Sequence, residues 1–226
     1  MERAGRAAAG QRGEPDRGDR AVLGRAPVEA GEVGRDQSRA GGVDQDVRVR
    51  ELPGVLHAHA AEPDAAEVEV RLCGMGEQGQ YLRDGRADAA LTHRPFDSLA
   101  GFGTEDLLTE EQVVVLPAGH PLAARTSLSL AEVSDVPGLP MARWPNPDGS
   151  YPPGPGPEIH DQSQLAQTIA LGRALAVICE SARAWLWSGH VAVPLVDATQ
   201  VTTVLAWPPH SRSRALAGLV RTATRL

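Results

Sequence analysis

The sequence predicts an α/β fold, because stretches with the periodicity of strands alternate with stretches with the periodicity of helices. The first clear strand is Val68–Leu72, in which apolar residues alternate with charged ones. The clearest helix lies near the end of the chain, where Leu216, Leu219, Val220 and Ala223 recur at the spacing of one helical face. Aromatic residues make up only 4% of the chain, so the core is expected to consist mainly of Val, Leu and Ala.

The remaining elements follow from local signals along the chain. A first helix is expected to open at Pro53 and to end at Pro63, since proline fits the first turn of a helix and interrupts its interior. Further helices are predicted at 78–84, 127–133, 162–172, 181–187 and 211–226. Further strands are predicted at 87–92, 102–109, 113–116, 139–142, 174–179, 191–196 and 202–207. Residues 143–157, rich in proline and glycine, are predicted to form a loop, and the alternation favours a mostly parallel sheet.

The first fifty residues differ in composition from the rest. They contain ten Arg, nine Asp or Glu and a single leucine, Leu23. Such a segment buries too little apolar area to offset its ordering entropy, so residues 1–46 are predicted to be disordered. An alternative is that they are not native sequence and come from a wrong reading frame or start. Strand-like alternation is confined to residues 47–50.

Net charge, cysteine content and hydropathy indicate which partners and which cellular compartment to expect. The formal net charge of −7 argues against a large nucleic-acid footprint. Cys73 and Cys179 lie far apart and form no C-x-x-C motif, which is typical of buried thiols in a reduced protein. No apolar run is long enough for a membrane span, and the N-terminus has no apolar signal core. A cytoplasmic protein without a membrane partner is therefore expected.

No residue is predicted to be catalytic, to bind a metal or to hold a cofactor. The seven histidines form no H-E-x-x-H, and His57 and His59 do not share a helical face. Residues 74–79 match G-x-G-x-x-G after a strand, but the helix that follows is too short for a dinucleotide crossover, which favours an ordinary loop. An enzyme is therefore disfavoured.

Four motifs, in this order and spacing, point to one family. They are L-R-x-G-R-x-D-A-A-L at 82–91, L-L-T-E-x-x-V-V-V-L-P-A-G-H-P-L-A at 107–123, A-L-G-R-A-L-A-V at 170–177 and V-L-A-W-P at 204–208. Together they resemble the effector-binding (substrate-binding) domain of LysR-type transcriptional regulators, over roughly residues 51–226. The resemblance places His120 in a structural turn, which disfavours it as a catalytic base.

The resemblance implies two Rossmann-like lobes of the periplasmic-binding-protein type joined by crossing strands, with a small effector bound between them. Lobe I would comprise 47–110 and 197–226, and lobe II 111–196. It implies a sensor domain that dimerises and reaches DNA only through a helix-turn-helix supplied by a full-length form. No helix-turn-helix is recognisable here, so a truncated regulator is expected. Residues 47–50 could be the opening strand of lobe I, but the effector-contacting loop after it is missing.

Ligand-binding candidates are polar residues in loops at strand ends, where clefts of α/β proteins form. Arg143 could clamp a carboxylate, and Trp144 could stack on a ring. The full set is Thr92, His93, Arg143, Trp144, Asp161, Gln162, Glu180 and Ser181. For each, the alternative is a surface or capping role, and for Asp161 specifically the helix N-cap. For the chain as a whole, the alternative is a solute-binding module used outside transcription.

Overall fold

The computed structural model describes residues 21–25, 52–74, 76–146 and 148–226. The strands are β1 (Ala21–Arg25), β2 (Val68–Leu72), β3 (Ala89–Arg94), β4 (Gly103–Glu110), β5 (Gln112–Pro117), β6 (Ala176–Cys179), β7 (His190–Pro194) and β8 (Val201–Trp207). The α-helices are α1 (Leu52–Ala60), α2 (Gln78–Arg83), α3 (Leu130–Ser134), α4 (Gln162–Ala170) and α5 (Arg214–Arg225). Two 3₁₀ helices span Pro121–Ala124 and Glu180–Trp185. None of the helices in these ranges has the length and apolar character that a bilayer crossing needs.

The strands form two sheets, one in each lobe. The sheet of lobe I has the order β2-β1-β3-β8-β4, and the sheet of lobe II has the order β6-β5-β7. The chain passes from lobe I to lobe II between β4 and β5 and returns between β7 and β8. The α/β class and the two lobes joined by crossing strands are therefore confirmed.

The expectation of a mostly parallel sheet is wrong. β1 runs parallel to β2 and β3, but β8 is antiparallel to both β3 and β4, and β5 is antiparallel to both β6 and β7. The physical reason is the double crossing. β4 and β5 follow each other with no helical crossover between them, and β8 brings the chain back into the sheet that β4 left.

The strand β1 lies inside the segment for which disorder was expected. Ala21–Arg25 pairs in parallel with the whole of β2, and Leu23 and Gly24 pair with Ala89 and Ala90 of β3. At these five residues the expectation of disorder is wrong, because inter-strand hydrogen bonds supply the order that local composition does not. The predicted strand at 47–50 lies outside the described residues.

The core of lobe II is built around β5, which is buried on both faces. Val113 to Leu116 are at most 1% exposed, as the apolar run predicted. Val113 and Val115 pack against Ile159, Leu165 and Ile169, the last two from α4. Val114 and Leu116 pack in a second cluster on the opposite face. Because β5 is buried on both faces, it gives Glu111, directly before it, and the turn after it a fixed position in lobe II.

Local signals account for most helix boundaries. Ser129 and Glu132 form a reciprocal capping box at the start of α3, which begins later than predicted. Asp161 caps α4 by accepting a hydrogen bond of 2.7 Å from the backbone N–H of Gln164, as predicted. His120 caps the first 3₁₀ helix, which fits its prediction as a turn residue. Around Met141, where a strand was predicted, there is an isolated bridge to Leu175.

Gly103, the first residue of β4, has a position that admits no side chain. It pairs with Trp207 of β8, and a Cβ on Gly103 would lie 2.6 Å from the indole Nε1. The indole packs on the core of lobe I, beside Leu91 and Leu205. We expect Gly103→Ala to displace this ring and to lower the free energy of unfolding by about 1–3 kcal/mol in urea denaturation.

A matched control is Gly119→Ala, in the turn after β5. A Cβ there would meet no atom within 4 Å, and the residue does not have a positive φ. This variant is expected to unfold within about 0.5 kcal/mol of the wild type. Equal stability of the two variants would show that Trp207 does not confine Gly103.

Candidate functional site

The candidate site surrounds the point where the chain changes sheets. One residue, Glu111, separates the end of β4 from the start of β5. Its carbonyl accepts a hydrogen bond of 3.0 Å from the N–H of Glu180, and its Oε1 accepts one of 2.7 Å from Gln200 Nε2. The returning segment is bonded to Gln112, whose carbonyl accepts from Leu195 N–H and whose side chain donates to the carbonyl of Thr199. The outgoing and returning chains are therefore fastened side by side.

Glu110 links the two lobes through its side chain. It is the last residue of β4 in lobe I, and Ser181 lies in the second 3₁₀ helix of lobe II. The backbone N–H of Ser181 donates to Glu110 Oε2 at 2.5 Å, and Ser181 Oγ donates to Oε1 at 2.9 Å. Each carboxylate oxygen thus has a donor from the other lobe.

Burial governs the ionisation of this link. Desolvation raises the pKa of Glu110 above its ordinary value, although both hydrogen bonds from Ser181 act to lower it. Burial, followed by the charge of Glu110, raises the pKa of the Cys179 thiol to about 12. Cys179 therefore stays a thiol near neutral pH, which is a poor nucleophile and metal ligand.

In lobe I, the carboxyl end of β3 lies at the sheet edge next to the crossing. His93 pairs with Thr203, and Arg94 pairs with Thr202, which in turn pairs with Thr109 one residue before the crossing. The buried Thr92 donates from Oγ1 to the carbonyl of Val204 at 3.3 Å, which leaves its oxygen able to accept. The register thus brings Thr92 and His93 to the edge that faces lobe II.

The turn after β3 is held by Asp97. Its Oδ2 accepts a hydrogen bond of 2.7 Å from the backbone N–H of His93. Burial raises the pKa of Asp97, while this bond and the nearby His93 lower it. A buried carboxyl therefore fixes the backbone at one of the candidate residues.

In lobe II, three chain segments end at the edge next to the crossing. Cys179, at the end of β6, pairs with Gln112 at the start of β5. Met141 forms a parallel bridge to Leu175, just before β6, and Arg143 forms a parallel bridge to Glu158. Parallel segments end on the same side of a sheet. The candidates that follow them, Trp144, Asp161, Glu180 and Ser181, therefore share that side.

Arg143 is held by the proline- and glycine-rich loop. Its Nε donates to the carbonyl of Gly156 at 2.6 Å, its Nη1 to that of Pro152 at 2.9 Å, and its Nη2 to Glu158 Oε1 at 3.1 Å. The guanidinium thus closes the loop from within. Its use as a carboxylate clamp stays a prediction, and a ligand would have to compete with these bonds.

The other lobe II candidates differ in how much of their polar capacity is free. Asp161 is engaged as the N-cap of α4, and Glu180 is paired with Arg183 at 2.6 Å. Trp144 is half-buried against the core around Val113 and Val115. The side chain of Gln162 makes no hydrogen bond within the part of the chain that the structure describes. Gln162 and Trp144 therefore have the freest polar and aromatic groups among the lobe II candidates.

The sequence predicted that the first part of lobe I ends at Glu110, but it did not indicate the hydrogen bonds of this side chain to the other lobe. Its partner Ser181 is 71 residues away, so no local pattern indicates the pair. Gln112 was also missed, although a polar residue beside an apolar run is a signal that its side chain has a buried partner. Among the described residues, no group of three or more His, Cys, Asp or Glu is placed to hold a metal ion.

Comparison with known proteins adds the family and the fold. The family model described as LysR substrate binding domain matches residues 42–225. A curated relative, the HTH-type transcriptional regulator BudR of Raoultella terrigena, is 25% identical over 157 residues, which cover 60% of this chain and 51% of BudR. The chain thus spans about half the length of this relative.

Solved structures with low identity share the fold. The BenM effector binding domain with its effector benzoate is 17% identical, with a TM-score of 0.62 over 91% of this chain and 90% of that one. The reduced OxyR regulatory domain of Pseudomonas aeruginosa is 16% identical, with a TM-score of 0.61 over 92% and 98%. Full-length CbnR complexed with its target DNA is 14% identical, with a TM-score of 0.65 over 91% of this chain and 69% of that one.

The link between Glu110 and Ser181 has a pH dependence with a definite sign. A carboxyl whose pKa is raised by folding contributes stability that is fully present below its unfolded pKa, near the ordinary 4.5, and is lost as pH rises through the folded pKa. Glu110→Gln keeps the shape and an acceptor oxygen but does not titrate. We expect the wild type to lose free energy of unfolding relative to Glu110→Gln as pH rises from 4.5, measured by urea denaturation across pH.

Glu132→Gln provides a control of opposite sign. Hydrogen bonds from Ser129 lower the pKa of Glu132, so the wild type should gain stability relative to this variant as pH rises. If the wild type gained stability relative to Glu110→Gln as pH rises, as it should relative to Glu132→Gln, the raised pKa of Glu110 would be refuted.

Proposed function

Since the chain belongs to the family of LysR substrate binding domains, we propose that it is the sensor of a transcriptional regulator and binds a small-molecule effector between its two lobes. The observation that supports this proposal is the crossing, where Glu110 of one lobe is hydrogen-bonded to Ser181 of the other. Ligands of α/β proteins bind at the carboxyl ends of strands, which is where these residues lie.

The effector would contact both sheet edges. On the side of lobe I, the buried oxygen of Thr92 can accept a hydrogen bond from it. On the side of lobe II, the Gln162 amide offers both donors and an acceptor, and Trp144 offers a ring face. Such a site favours a small molecule with polar groups at one end and a planar or apolar body at the other.

Binding would act by changing the angle between the lobes. The hydrogen bonds at Glu111 and Gln112 hold the outgoing and returning chains together, so the crossing can serve as a hinge while each lobe stays rigid. A ligand that touches both lobes favours the closed arrangement. Coupling of about 1–3 kcal/mol is enough to alter operator binding in an intact regulator.

The partners proposed for the chain follow from this role. The relative BudR is by name an HTH-type transcriptional regulator, and full-length CbnR was solved in complex with its target DNA. We infer that DNA is reached through a helix-turn-helix of a full-length form, that the domain forms homodimers, and that it works in the cytoplasm, where the operator is. We propose a binding role and assign no chemical step to the domain.

The test is a thermal-shift screen of small organic acids, aromatic compounds and amino acids. A compound present at about 100 times its dissociation constant should add roughly 2.7 kcal/mol to the free energy of unfolding. We expect Thr92→Val and Gln162→Ala each to weaken its binding by about tenfold or more, since each removes one hydrogen bond to the ligand. Solution scattering should show the lobes closing when the compound binds.

Thr168→Val is the matched control for Thr92→Val. Thr168 also donates to a backbone carbonyl, at 2.7 Å, but lies in the last turns of α4, away from its first residue Gln162. It should bind the compound as the wild type does. A compound whose affinity is unchanged in both cleft variants, or whose binding leaves the scattering curve unchanged, would contradict the proposed site.

A further inference from the structure

The hydrogen-bonded pair of Glu110 and Ser181 joins an element of lobe I to an element of lobe II. The backbone N–H of Ser181 donates to Glu110 Oε2 at 2.5 Å, and Ser181 Oγ donates to Oε1 at 2.9 Å. Two bonds on the two oxygens of one carboxylate fix an orientation as well as a distance. The pair can therefore hold the lobes at one angle, provided that each partner is itself held firmly in its own lobe.

In lobe I, Glu110 is held by the edge of the sheet. It is the last residue of β4 and pairs with Val201 of β8, which is fully buried. One residue earlier, the hydroxyl oxygens of Thr109 and Thr202 lie 2.8 Å apart and join the same two strands. The backbone of Glu110 therefore moves with the sheet of lobe I.

In lobe II, Ser181 is held through the residues on either side of it. Two residues earlier, Cys179 pairs with Gln112 of β5. Two residues later, Arg183 Nη1 donates to the carbonyl of Ala192, in β7, at 2.8 Å. The 3₁₀ helix that contains Ser181 is thus fastened to two strands of the lobe II sheet, and Ser181 moves with that sheet.

A change of the angle between the lobes acts directly on this pair. One residue, Glu111, separates β4 from β5, so a rotation of its backbone dihedrals turns one sheet against the other. Such a rotation displaces Ser181 relative to Glu110. Protein hydrogen bonds weaken beyond about 3.2 Å, so a relative displacement of about 1 Å breaks both bonds.

Partial burial strengthens the pair. Both residues are half-buried, and desolvation raises the pKa of Glu110 although the bonds from Ser181 lower it. A carboxylate with little access to water depends on its protein donors, and removing them costs more free energy than the loss of an exposed hydrogen bond. The arrangement of the lobes in which the two bonds exist is therefore favoured over arrangements in which they do not.

We propose that Glu110 and Ser181 form a latch that sets the angle between the two lobes in the ligand-free protein. Both are then positioning residues. Ser181, which the sequence predicts as a ligand contact, gives both of its donors to Glu110 in this arrangement. The regulatory meaning of the latch rests on the proposed function, because closure of the lobes around an effector would have to release it.

The test measures the orientation of the lobes in the full chain without any ligand. Residual dipolar couplings of the backbone amides, recorded in a weakly aligned sample, report the orientation of each lobe separately. In the wild type, a single alignment tensor should fit both lobes. Glu110→Ala removes the acceptor of both Ser181 donors. This variant should lose the common tensor, while the couplings within each lobe still fit the structure of that lobe.

Two further variants separate the latch from a general contribution to stability. Glu110→Gln has a side chain of the same length, and its amide can accept from the Ser181 N–H and donate to Ser181 Oγ, so the common tensor should be restored. Glu105→Ala removes a half-buried carboxyl group from the same strand, away from the crossing. It should keep the common tensor of the wild type.

Three results would overturn the latch. The first is a Glu110→Ala variant whose lobes keep the common tensor and the orientation of the wild type. The second is a Glu110→Gln variant that behaves as Glu110→Ala does, since charge and not the two bonds would then set the angle. If Glu110→Ala does not fold, Ser181→Ala decides, because it removes only the Oγ donor. The common tensor should then fit less well, and unchanged couplings are the third contrary result.

These outcomes are independent of the effector site. No effector is present in any of the measurements, so a thermal-shift screen without a hit contradicts the proposed function but not the latch. Conversely, a failure of the latch leaves the roles proposed for Thr92 and Gln162 unchanged.

Discussion

The two-lobe structure depends on one constraint, the change of sheet within a single residue. Because only Glu111 lies between β4 and β5, the end of β4 and the start of β5 stay within one residue of each other, and so do the lobes at this point. The returning chain is bonded to Gln112 at the same place. The outgoing and returning chains and the Glu110–Ser181 pair therefore form one short, hydrogen-bonded connection between the lobes.

Much of the fold could be predicted from local patterns. The spacing of apolar residues depends on which faces of an element are buried, and it can be read from the sequence. Examples are the alternation at Val68–Leu72, the apolar run at β5 and the helical spacing of Leu216 and Leu219. The two lobes, by contrast, came from the resemblance of four motifs. Local patterns do not predict a strand whose order comes from hydrogen bonds to strands distant in sequence. The strand β1 has one leucine and no useful period, and its order comes from hydrogen bonds to β2 and β3.

The site was less predictable than the fold, for the same reason. Strand ends indicated Thr92 and Ser181, and the register brings both to the crossing. The state of each side chain depends on partners distant in sequence. Arg143, predicted as a possible carboxylate clamp, closes its own loop. Glu110, where the first part of lobe I was predicted to end, has a side chain that joins the lobes. His59 was weighed as a metal ligand with His57, but its burial without partners shows only in the packed structure.

The order of the strands along the chain also sets the order in which the lobes can be completed. The three strands of the lobe II sheet come from one uninterrupted stretch, from Gln112 to Pro194, whose two ends lie together at the crossing. In the sheet of lobe I, β3 and β4 are connected only through β8, which comes after all of lobe II. On the ribosome, lobe II can therefore fold while β4 still lacks its partner. Lobe I closes last, as β8 emerges and is inserted between strands made long before it.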